Sequence, residues 1–475
     1  MAGEAGELGA WEVDRVIEVR ASLPSRWSSQ LAVYLGTVGA AVGLGSIWRF
    51  PYLAGTLGGG AFIGVFLLAC LFIATPLLVA EYMIGRYSGL APPVAAGAMA
   101  VSVGRSPRWN LIGQLGTTSA FLINSYYTIV AGWVVAYAWK CGRGALVGLS
   151  RPELHAEWQD LLAHPWQLAG WQLIFIAVVT FISARGLGRG IELASRIRAP
   201  ALLVLLLLLD AYSLGTGDVE QTYQFVFAPH WSGMSAGVVL AAIGQAFFAT
   251  GVGMAMMLAY GAYMPRNASL VRPALLVSGS IVLVSLLATI MIFPLVFRFH
   301  MDPAGGPALV FEVLPTAFAL MPGGRVIGTI FFVLLIFAAL TPSLACFEPV
   351  VAWLQGRGLR RGPAAVSAAV AMWLAGIGSL ASFNVLANWH PLERVPLFQG
   401  KTLFEVVDFV ASNVFLPVGA MLTCIFIGWR LDRMTFTAEL AGQTQLAGAC
   451  RALLRYVCPV AIAAVLIAAF WQHRN

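Results

Sequence analysis

Long apolar runs follow one another along almost the whole chain, separated by short stretches rich in Gly, Pro and charged residues. An α-helix needs roughly 20 apolar residues to cross the hydrocarbon core of a bilayer. The runs therefore predict eleven transmembrane helices, which we call spans 1 to 11. They lie near residues 28–51, 60–86, 111–140, 168–184, 191–213, 235–262, 272–298, 325–355, 364–383, 403–430 and 452–471.

Spans 1 and 6 are each interrupted at mid-depth by a pair of glycines, Gly43 and Gly45 in one and Gly251 and Gly253 in the other. Glycine costs about 1 kcal/mol in a helix interior relative to alanine, so the pairs predict local unwinding. Close packing of helices through small residues is the alternative. Broken helices at equal positions in two halves are typical of inverted-repeat transporters, whose binding site lies at the midplane.

The pattern thus predicts an all-α polytopic membrane protein with two inverted five-helix repeats and one additional helix. We expect a cytoplasmic tail at residues 1–26, the first repeat at 27–213, the second at 235–430, and span 11 with the C-terminus at 431–475.

Composition removes other classes of protein. Of the 475 residues, 59% are hydrophobic and 10% are charged, whereas about a quarter of a soluble domain is charged. The 28 Phe and 15 Trp are far more than a disordered chain tolerates. The first 26 residues lack the apolar core of a cleavable signal peptide, so span 1 is expected to direct insertion. The six cysteines stand singly, which predicts neither a zinc site nor a disulfide framework.

The net charge of +7 has a topological explanation and predicts no nucleic-acid partner. With the N-terminus in the cytoplasm, sixteen arginines, including Arg198, are assigned to the inner side and eight basic residues to the outer side. This is the positive-inside pattern, and an odd number of spans then places the C-terminus outside. We expect a multi-pass protein surrounded by the lipid of the plasma (inner) membrane.

Several motifs are specific enough to be recognised. In order, they are AAVGLGSIWRFPY at 40–52, GGGAF at 58–62, PLLVAEYMIGRYSG at 76–89, NSYYTIVAGW at 124–133, GIELASRIRAP at 190–200, GQAFFATGVG at 244–253, FAALTPS at 337–343 and VVDF at 406–409. The sequence closely resembles the neurotransmitter:sodium symporter family, in particular its bacterial, leucine-transporter-like amino acid transporters. The resemblance covers all eleven spans, and the frequent twelfth helix of the family is absent from this sequence.

The resemblance implies a transporter that is not an enzyme and that imports an amino acid by alternating access, with Na⁺ as the coupling ion. A small zwitterionic substrate is the implied partner, and no obligate protein partner is expected in a monomer or dimer. At Gly43, family members that carry monoamines have an aspartate. The glycine implies that the substrate brings its own carboxylate.

By resemblance, this carboxylate would lie against the amides of Leu44 and Gly45 and the hydroxyl of Tyr127, and the ammonium would face carbonyls of Ala41, Phe248 and Ala249. Broken helices provide such dipoles without a buried side-chain charge. The implied side-chain pocket contains no ionic residue and consists of Ile123, Tyr127, Phe248, Gly251, Met254, Pro342 and Cys346. We therefore expect a neutral, hydrophobic or aromatic amino acid, because each buried methylene contributes about 0.8 kcal/mol.

The second sodium site of the family corresponds to carbonyls of Gly39, Val42 and Ala338 and the hydroxyl of Thr341. The family's second hydroxyl is Pro342 here, which has no side-chain oxygen. The resemblance still implies a single sodium at this site, with water completing its shell.

The other ion sites are eroded. Two of the three side chains of the first sodium site are replaced by Ala249 and Ile281, and the third is shortened to Ser46. The chloride site of animal members has lost its tyrosine to Phe66, along with the same two positions. We expect no tight sodium at the first site and no chloride dependence.

Charged residues within the spans are predicted to form the gates on the two sides of the site. Arg49 and Asp408 match the extracellular gate pair, with Gln245 bridging them and with Tyr127 and Phe248 as the aromatic lid beneath. The cytoplasmic gate departs from the pattern, because its span 8 aspartate is a glycine, so inward closure must rely on other contacts.

For three other carboxylates in the spans, a role is predicted. Glu81 is expected to brace span 2 against span 6, and Asp210 to lie at the membrane interface. Glu348, two helical turns beyond Thr341, is a possible proton site or a hydrogen-bonded inner residue. Proton coupling, plain exchange, and a membrane ligand sensor that transports nothing therefore remain the alternatives to sodium symport.

Overall fold

In the computed structural model, residues 26–228, 234–300, 309–321, 323–440 and 444–472 are described, and these ranges contain helices and no strand. The predicted tail at 1–26 lies outside them except for its last residue. The words inner and outer below denote the two sides that the charge pattern predicts.

All eleven predicted spans are helical. Nine helices in the described ranges are continuous and long and apolar enough to cross a membrane: Gly60–Ser88, Pro107–Gly142, Pro165–Ala184, Leu187–Thr216, Val271–Arg298, Gly324–Gly356, Arg361–Ala381, Leu403–Arg430 and Gln445–Trp471. Span 1 consists of Gln30–Ala41 and Gly45–Thr56, bent by 53°. Span 6 consists of Ala236–Thr250 and Met256–Ala262. The chain is therefore an all-α polytopic membrane protein, as the sequence predicts.

The connections carry short helices of their own. Pro92–Ser102 follows span 2 and Arg433–Glu439 follows span 10 on the inner side, while Arg151–Ala163 and Leu314–Leu320 lie in outer connections. Spans 3 and 8 pack against each other along their length and form the scaffold beside the two broken spans.

The breaks in spans 1 and 6 have different causes. In span 6, Gly251 and Gly253 have φ of +66° and +88°, a conformation that glycine adopts without strain, so local unwinding is confirmed there. In span 1, Val42 ends the first half with an extended backbone, and neither glycine of the pair has a positive φ. A Cβ atom added to Gly43 would lie 2.6 Å from the ring of Pro342. Close packing, the alternative interpretation, therefore explains this glycine.

Two charged residues of the helix Leu187–Thr216 are buried inside the protein. Arg198 was assigned to the inner side, but it is 3% exposed and lies inside the helix Leu187–Thr216. Asp210, near the outer end of the same helix, is 5% exposed, and its carboxylate oxygens have no hydrogen-bond partner among the described residues. Hydropathy places a residue along a span but does not show which side of the helix faces the protein interior.

Candidate functional site

The two helix breaks meet at one cavity. All eleven residues predicted to bind the substrate line it: Ala41, Leu44, Gly45, Ile123, Tyr127, Phe248, Ala249, Gly251, Met254, Pro342 and Cys346. Ala40, Gly43 and Met256 line it as well. The cavity lies between spans 1, 3, 6 and 8, and none of its lining side chains is charged.

Met256 fills much of this site in the conformation described. The cavity has a volume of about 40 Å³, which is space for a few water molecules at most. A Cβ atom added to Gly251 would lie 1.9 Å from the terminal methyl of Met256. A bulky ligand side chain would therefore enter only after Met256 moves. The sequence analysis missed this residue, because it follows an unwound segment in which no helical periodicity predicts the orientation of a side chain.

Backbone dipoles of both signs face the cavity. The first half of span 1 ends at Ala41 and presents carbonyl groups, while Leu44 and Gly45 begin the second half and present amides. The buried hydroxyl of Tyr127 lies beside the Leu44 amide and has no hydrogen-bond partner of normal geometry. This arrangement offers donors to a carboxylate and acceptors to an ammonium.

The predicted second sodium site adjoins this cavity. The Thr341 hydroxyl donates a 2.6 Å hydrogen bond to the Gly39 carbonyl, which joins span 8 to span 1. Pro342 has no N–H group, so it leaves the Ala338 carbonyl without its helical donor. A Cβ atom on Gly43, next to Val42, would lie 3.4 Å from that carbonyl oxygen. Pro342 thus removes one side-chain ligand but frees a carbonyl.

A buried cation already contacts one acceptor of this site, the Gly39 carbonyl, and a carbonyl that lies next to another. Arg198 donates from Nη2 to the Gly39 carbonyl at 3.1 Å and from Nη1 to the Phe337 carbonyl at 2.6 Å. The Thr341 hydroxyl lies close by on the same carbonyl.

At the eroded first sodium and chloride sites, the replaced positions carry apolar side chains, as the sequence predicts. Ile281 and Phe66 are fully buried. The Ser46 hydroxyl is also buried, and it has no hydrogen-bond partner among the described residues. Gln245 donates to the Gly45 carbonyl at 2.9 Å, so in this conformation it supports the break of span 1.

The two predicted gate residues line one outer cavity of about 230 Å³ and do not touch each other. Arg49 lies over the Phe248 ring, 4.4 Å from its centroid. Asp408 accepts hydrogen bonds from Tyr126 at 2.6 Å and from Ser412 at 3.0 Å. Within the described ranges, no ion pair shorter than 4.0 Å joins Arg49 to Asp408. Phe248, the predicted lid residue, lines both cavities.

The inner side is closed around Glu348, which is fully buried. Its two oxygens accept hydrogen bonds from Arg361 at 2.8 and 2.7 Å, and one of them also accepts from the Tyr263 hydroxyl at 2.6 Å. Arg361 also donates to the Ser183 carbonyl at 2.7 Å. This cluster joins the inner ends of spans 4, 6, 8 and 9. The sequence analysis missed Arg361, which it had counted only as an inner-side charge.

Trp27 closes the same side from the start of span 1. Its indole N–H donates to the Tyr260 carbonyl at 3.2 Å, and the two rings pack edge to face. These contacts join the inner ends of the spans, and Phe248 lines both the site and the outer cavity.

The expected brace from Glu81 is confirmed, because its Oε1 accepts the Gly253 amide at 2.7 Å.

Comparison with known proteins gives a consistent result. The sodium:neurotransmitter symporter family matches residues 24–147 and 151–475. The uncharacterized sodium-dependent transporter YhdH of Bacillus subtilis (strain 168) is 34% identical over 451 residues, which cover 94% of this chain and 97% of the relative. An uncharacterized sodium-dependent transporter of Haemophilus influenzae is 30% identical over 413 residues, 85% of this chain and 89% of the relative.

A solved structure is similar over nearly the whole chain. The crystal structure of MhsT in complex with L-phenylalanine has a TM-score of 0.85 and 36% sequence identity, and the match covers 94% of this chain and 99% of that one. The resemblance seen in the motifs is thereby confirmed along the full set of spans. The chain belongs to the sodium:neurotransmitter symporter family, a family of transporters and not of enzymes.

Proposed function

We propose that this protein moves a neutral amino acid with a hydrophobic side chain across the membrane by alternating access. The observation that carries the proposal is the uncharged cavity at the meeting point of two broken helices. Amides of Leu44 and Gly45 and carbonyls near Ala41 suit the two ends of a zwitterion, while the remaining walls suit an apolar side chain. The similarity to a protein crystallised with L-phenylalanine supports an aromatic or bulky aliphatic substrate.

The closures on the two sides support the transport cycle. The cluster of Glu348, Arg361 and Tyr263 seals the inner side, while Arg49 and Asp408 stand apart across an outer cavity. We propose that substrate binding draws the outer pair together over Phe248 and that the inner cluster then opens. The roles of the cavity and gate residues are part of this proposal.

For energy coupling, two candidates stand. One sodium at the second site is supported by relatives named sodium-dependent transporters and by the oxygens of Gly39 and Thr341. Exchange without sodium at this site is favoured by Arg198, whose guanidinium contacts the Gly39 carbonyl. Proton coupling through Glu348 has less support, because Arg361 occupies both carboxylate oxygens. Chloride independence is supported by the apolar side chains of Phe66 and Ile281.

We also propose the topology and division of the chain that the sequence predicts. The N-terminus would be cytoplasmic and the C-terminus outside the plasma (inner) membrane, with inverted repeats at 27–213 and 235–430. The charge asymmetry across the spans supports this orientation.

Uptake of labelled amino acids into proteoliposomes tests the proposal, with sodium, potassium and proton gradients imposed separately. We expect saturable uptake of L-phenylalanine or a bulky aliphatic amino acid and no uptake of charged ones. Sodium-driven uptake by the wild type that does not respond to an imposed proton gradient would remove proton coupling. Saturable binding without uptake under any condition, including exchange, would instead favour a ligand sensor.

A further inference from the structure

Arg198 is a buried cation well inside a membrane-spanning helix. It is the twelfth residue of the helix Leu187–Thr216, which places it roughly 17 Å from the inner end at 1.5 Å per residue. It is 3% exposed. Charged side chains at this depth are costly and occur where they have a partner or a function. The surroundings of the guanidinium therefore require an explanation.

The guanidinium of Arg198 is held by backbone oxygens. It donates to the carbonyls of Gly39 in span 1 and Phe337 in span 8. No carboxylate oxygen lies within 4.0 Å of it in the part of the chain that the structure describes. Backbone carbonyls are also among the oxygens that hold small hard metal cations in proteins.

Two local features of the chain leave carbonyl oxygens free at this place. Gly39 lies in the last turn of the half-helix that ends at Ala41, where carbonyls lose their helical donors and carry the negative end of the helix dipole. In span 8, Pro342 frees the Ala338 carbonyl one residue beyond Phe337. The carbonyls of Gly39 and Ala338 are acceptors that the family resemblance assigns to the second sodium, and Arg198 contacts the first of them.

Gly39 also provides the space for the guanidinium. A Cβ atom at this position would lie 2.9 Å from Nη2 of Arg198 and 3.6 Å from the hydroxyl oxygens of Ser195 and Thr341. A larger residue at this position would require the guanidinium to shift. The fit therefore depends on a glycine in span 1 and an arginine in span 5 together.

We propose that the Arg198 guanidinium is a tethered cation that takes the place of sodium between spans 1 and 8, so that no sodium binds at the second site. It bridges the same two spans that a bound sodium would bridge and adds span 5 to the link. Because the charge is covalently attached, it is not released to the other side in a transport cycle. The carrier would therefore run on the amino acid gradients themselves, as an exchanger or uniporter.

Electrostatics sets the size of the expected effect. A sodium ion coordinated by the Gly39 carbonyl would lie within a few ångström of the guanidinium. At about 4 Å and an effective dielectric constant of about 20, this repulsion weakens sodium binding on the order of a thousand-fold. Removal of the guanidinium should restore sodium binding to the freed carbonyls.

Thermal unfolding of the purified protein in matched NaCl and KCl measures sodium binding without any substrate, because a cation that binds only the folded state raises Tm. The wild type should unfold at the same temperature in both salts at about 200 mM. Arg198→Met and Arg198→Gln should be more stable in NaCl, with a Tm that rises with sodium concentration. Arg198→Lys keeps a cation and should stay insensitive to sodium, as should Arg189→Met, an exposed control in the same span.

Sodium-dependent stabilisation of the wild type would overturn the inference, and so would the absence of a sodium response in both neutral variants. The inference rests on the proposed function only for its meaning in transport, so L-phenylalanine binding is measured as a separate arm. The wild type should bind it equally in both salts, whereas Arg198→Met should bind it at least about 10-fold more tightly in NaCl. No binding in either salt would contradict the proposed substrate, while the Tm comparison would still decide the role of Arg198.

Discussion

Replacing Glu348 by Gln should unlock the inner side of the transporter. Glu348 is fully buried and accepts two hydrogen bonds from Arg361 and one from Tyr263, so the substitution leaves Arg361 without its counter-ion. Breaking a buried pair by removing one partner costs about 3–5 kcal/mol. The cost applies to the inward-closed state, because an open inner side allows water to solvate Arg361. A shift of about 3 kcal/mol increases the inward-open population by roughly 100-fold while that state remains the minor one.

Cys346 provides a native reporter for this opening, because it lines the central cavity and is a free, buried thiol. The other five cysteines are replaced by alanine, and a membrane-impermeant maleimide is applied to inside-out vesicles. In Glu348→Gln, labelling of Cys346 should be roughly 100-fold faster than in the background protein.

Two variants calibrate the measurement. Tyr263→Phe removes a single hydrogen bond to a carboxylate, worth about 1.5 kcal/mol or more, so its labelling should be at least about 10-fold faster. Glu348→Gln combined with Arg361→Gln leaves two neutral partners and should label more slowly than Glu348→Gln alone. An unchanged labelling rate in Glu348→Gln, in protein that still binds L-phenylalanine, would refute the gate assigned to this cluster.

Three further variants test the binding site. Gly251→Ala forces a positive φ on alanine, at about 1–2 kcal/mol, and places a methyl group against Met256, so L-phenylalanine binding measured by scintillation proximity should weaken at least about 10-fold. Tyr127→Phe removes a hydroxyl that has no hydrogen-bond partner in the protein, so Tm should not change. The affinity for L-phenylalanine should fall about 10-fold, and an unchanged affinity would contradict contact between this hydroxyl and the substrate carboxylate. Glu81→Ala deletes the acceptor of the Gly253 amide and should destabilise the protein by about 1–3 kcal/mol in thermal unfolding, with Glu81→Gln much milder.

The sequence predicts the spans and the cavity well for physical reasons. Apolar runs of membrane-spanning length leave few alternatives to a helix, because backbone polar groups in lipid must be satisfied within the segment. The cavity residues were found because they lie in the motifs at the two breaks and in spans 3 and 8, whose order along the chain the family resemblance supplied. All eleven line one cavity in the structure.

The residues that sequence analysis missed or misplaced depend on the direction of a side chain. Arg198 was counted as an inner-side arginine, but its helix turns it toward Gly39. Arg361 lies at the start of span 9 and reaches back to Glu348. Met256 follows an unwound stretch in which the helical repeat does not apply. A warning was present in the sequence for Arg198, since it lies within the predicted boundaries of span 5, where a charge requires a partner.

The central claim is that the uncharged cavity between the broken helices carries a hydrophobic amino acid across the membrane. Counterflow tests it most directly, because it requires no knowledge of the coupling ion. Proteoliposomes are loaded with unlabelled L-phenylalanine and diluted into a trace of labelled L-phenylalanine. The account predicts transient accumulation of label, which an excess of external L-phenylalanine abolishes and Gly251→Ala reduces. Saturable binding without any counterflow, for L-phenylalanine and for the bulky aliphatic amino acids alike, would contradict it.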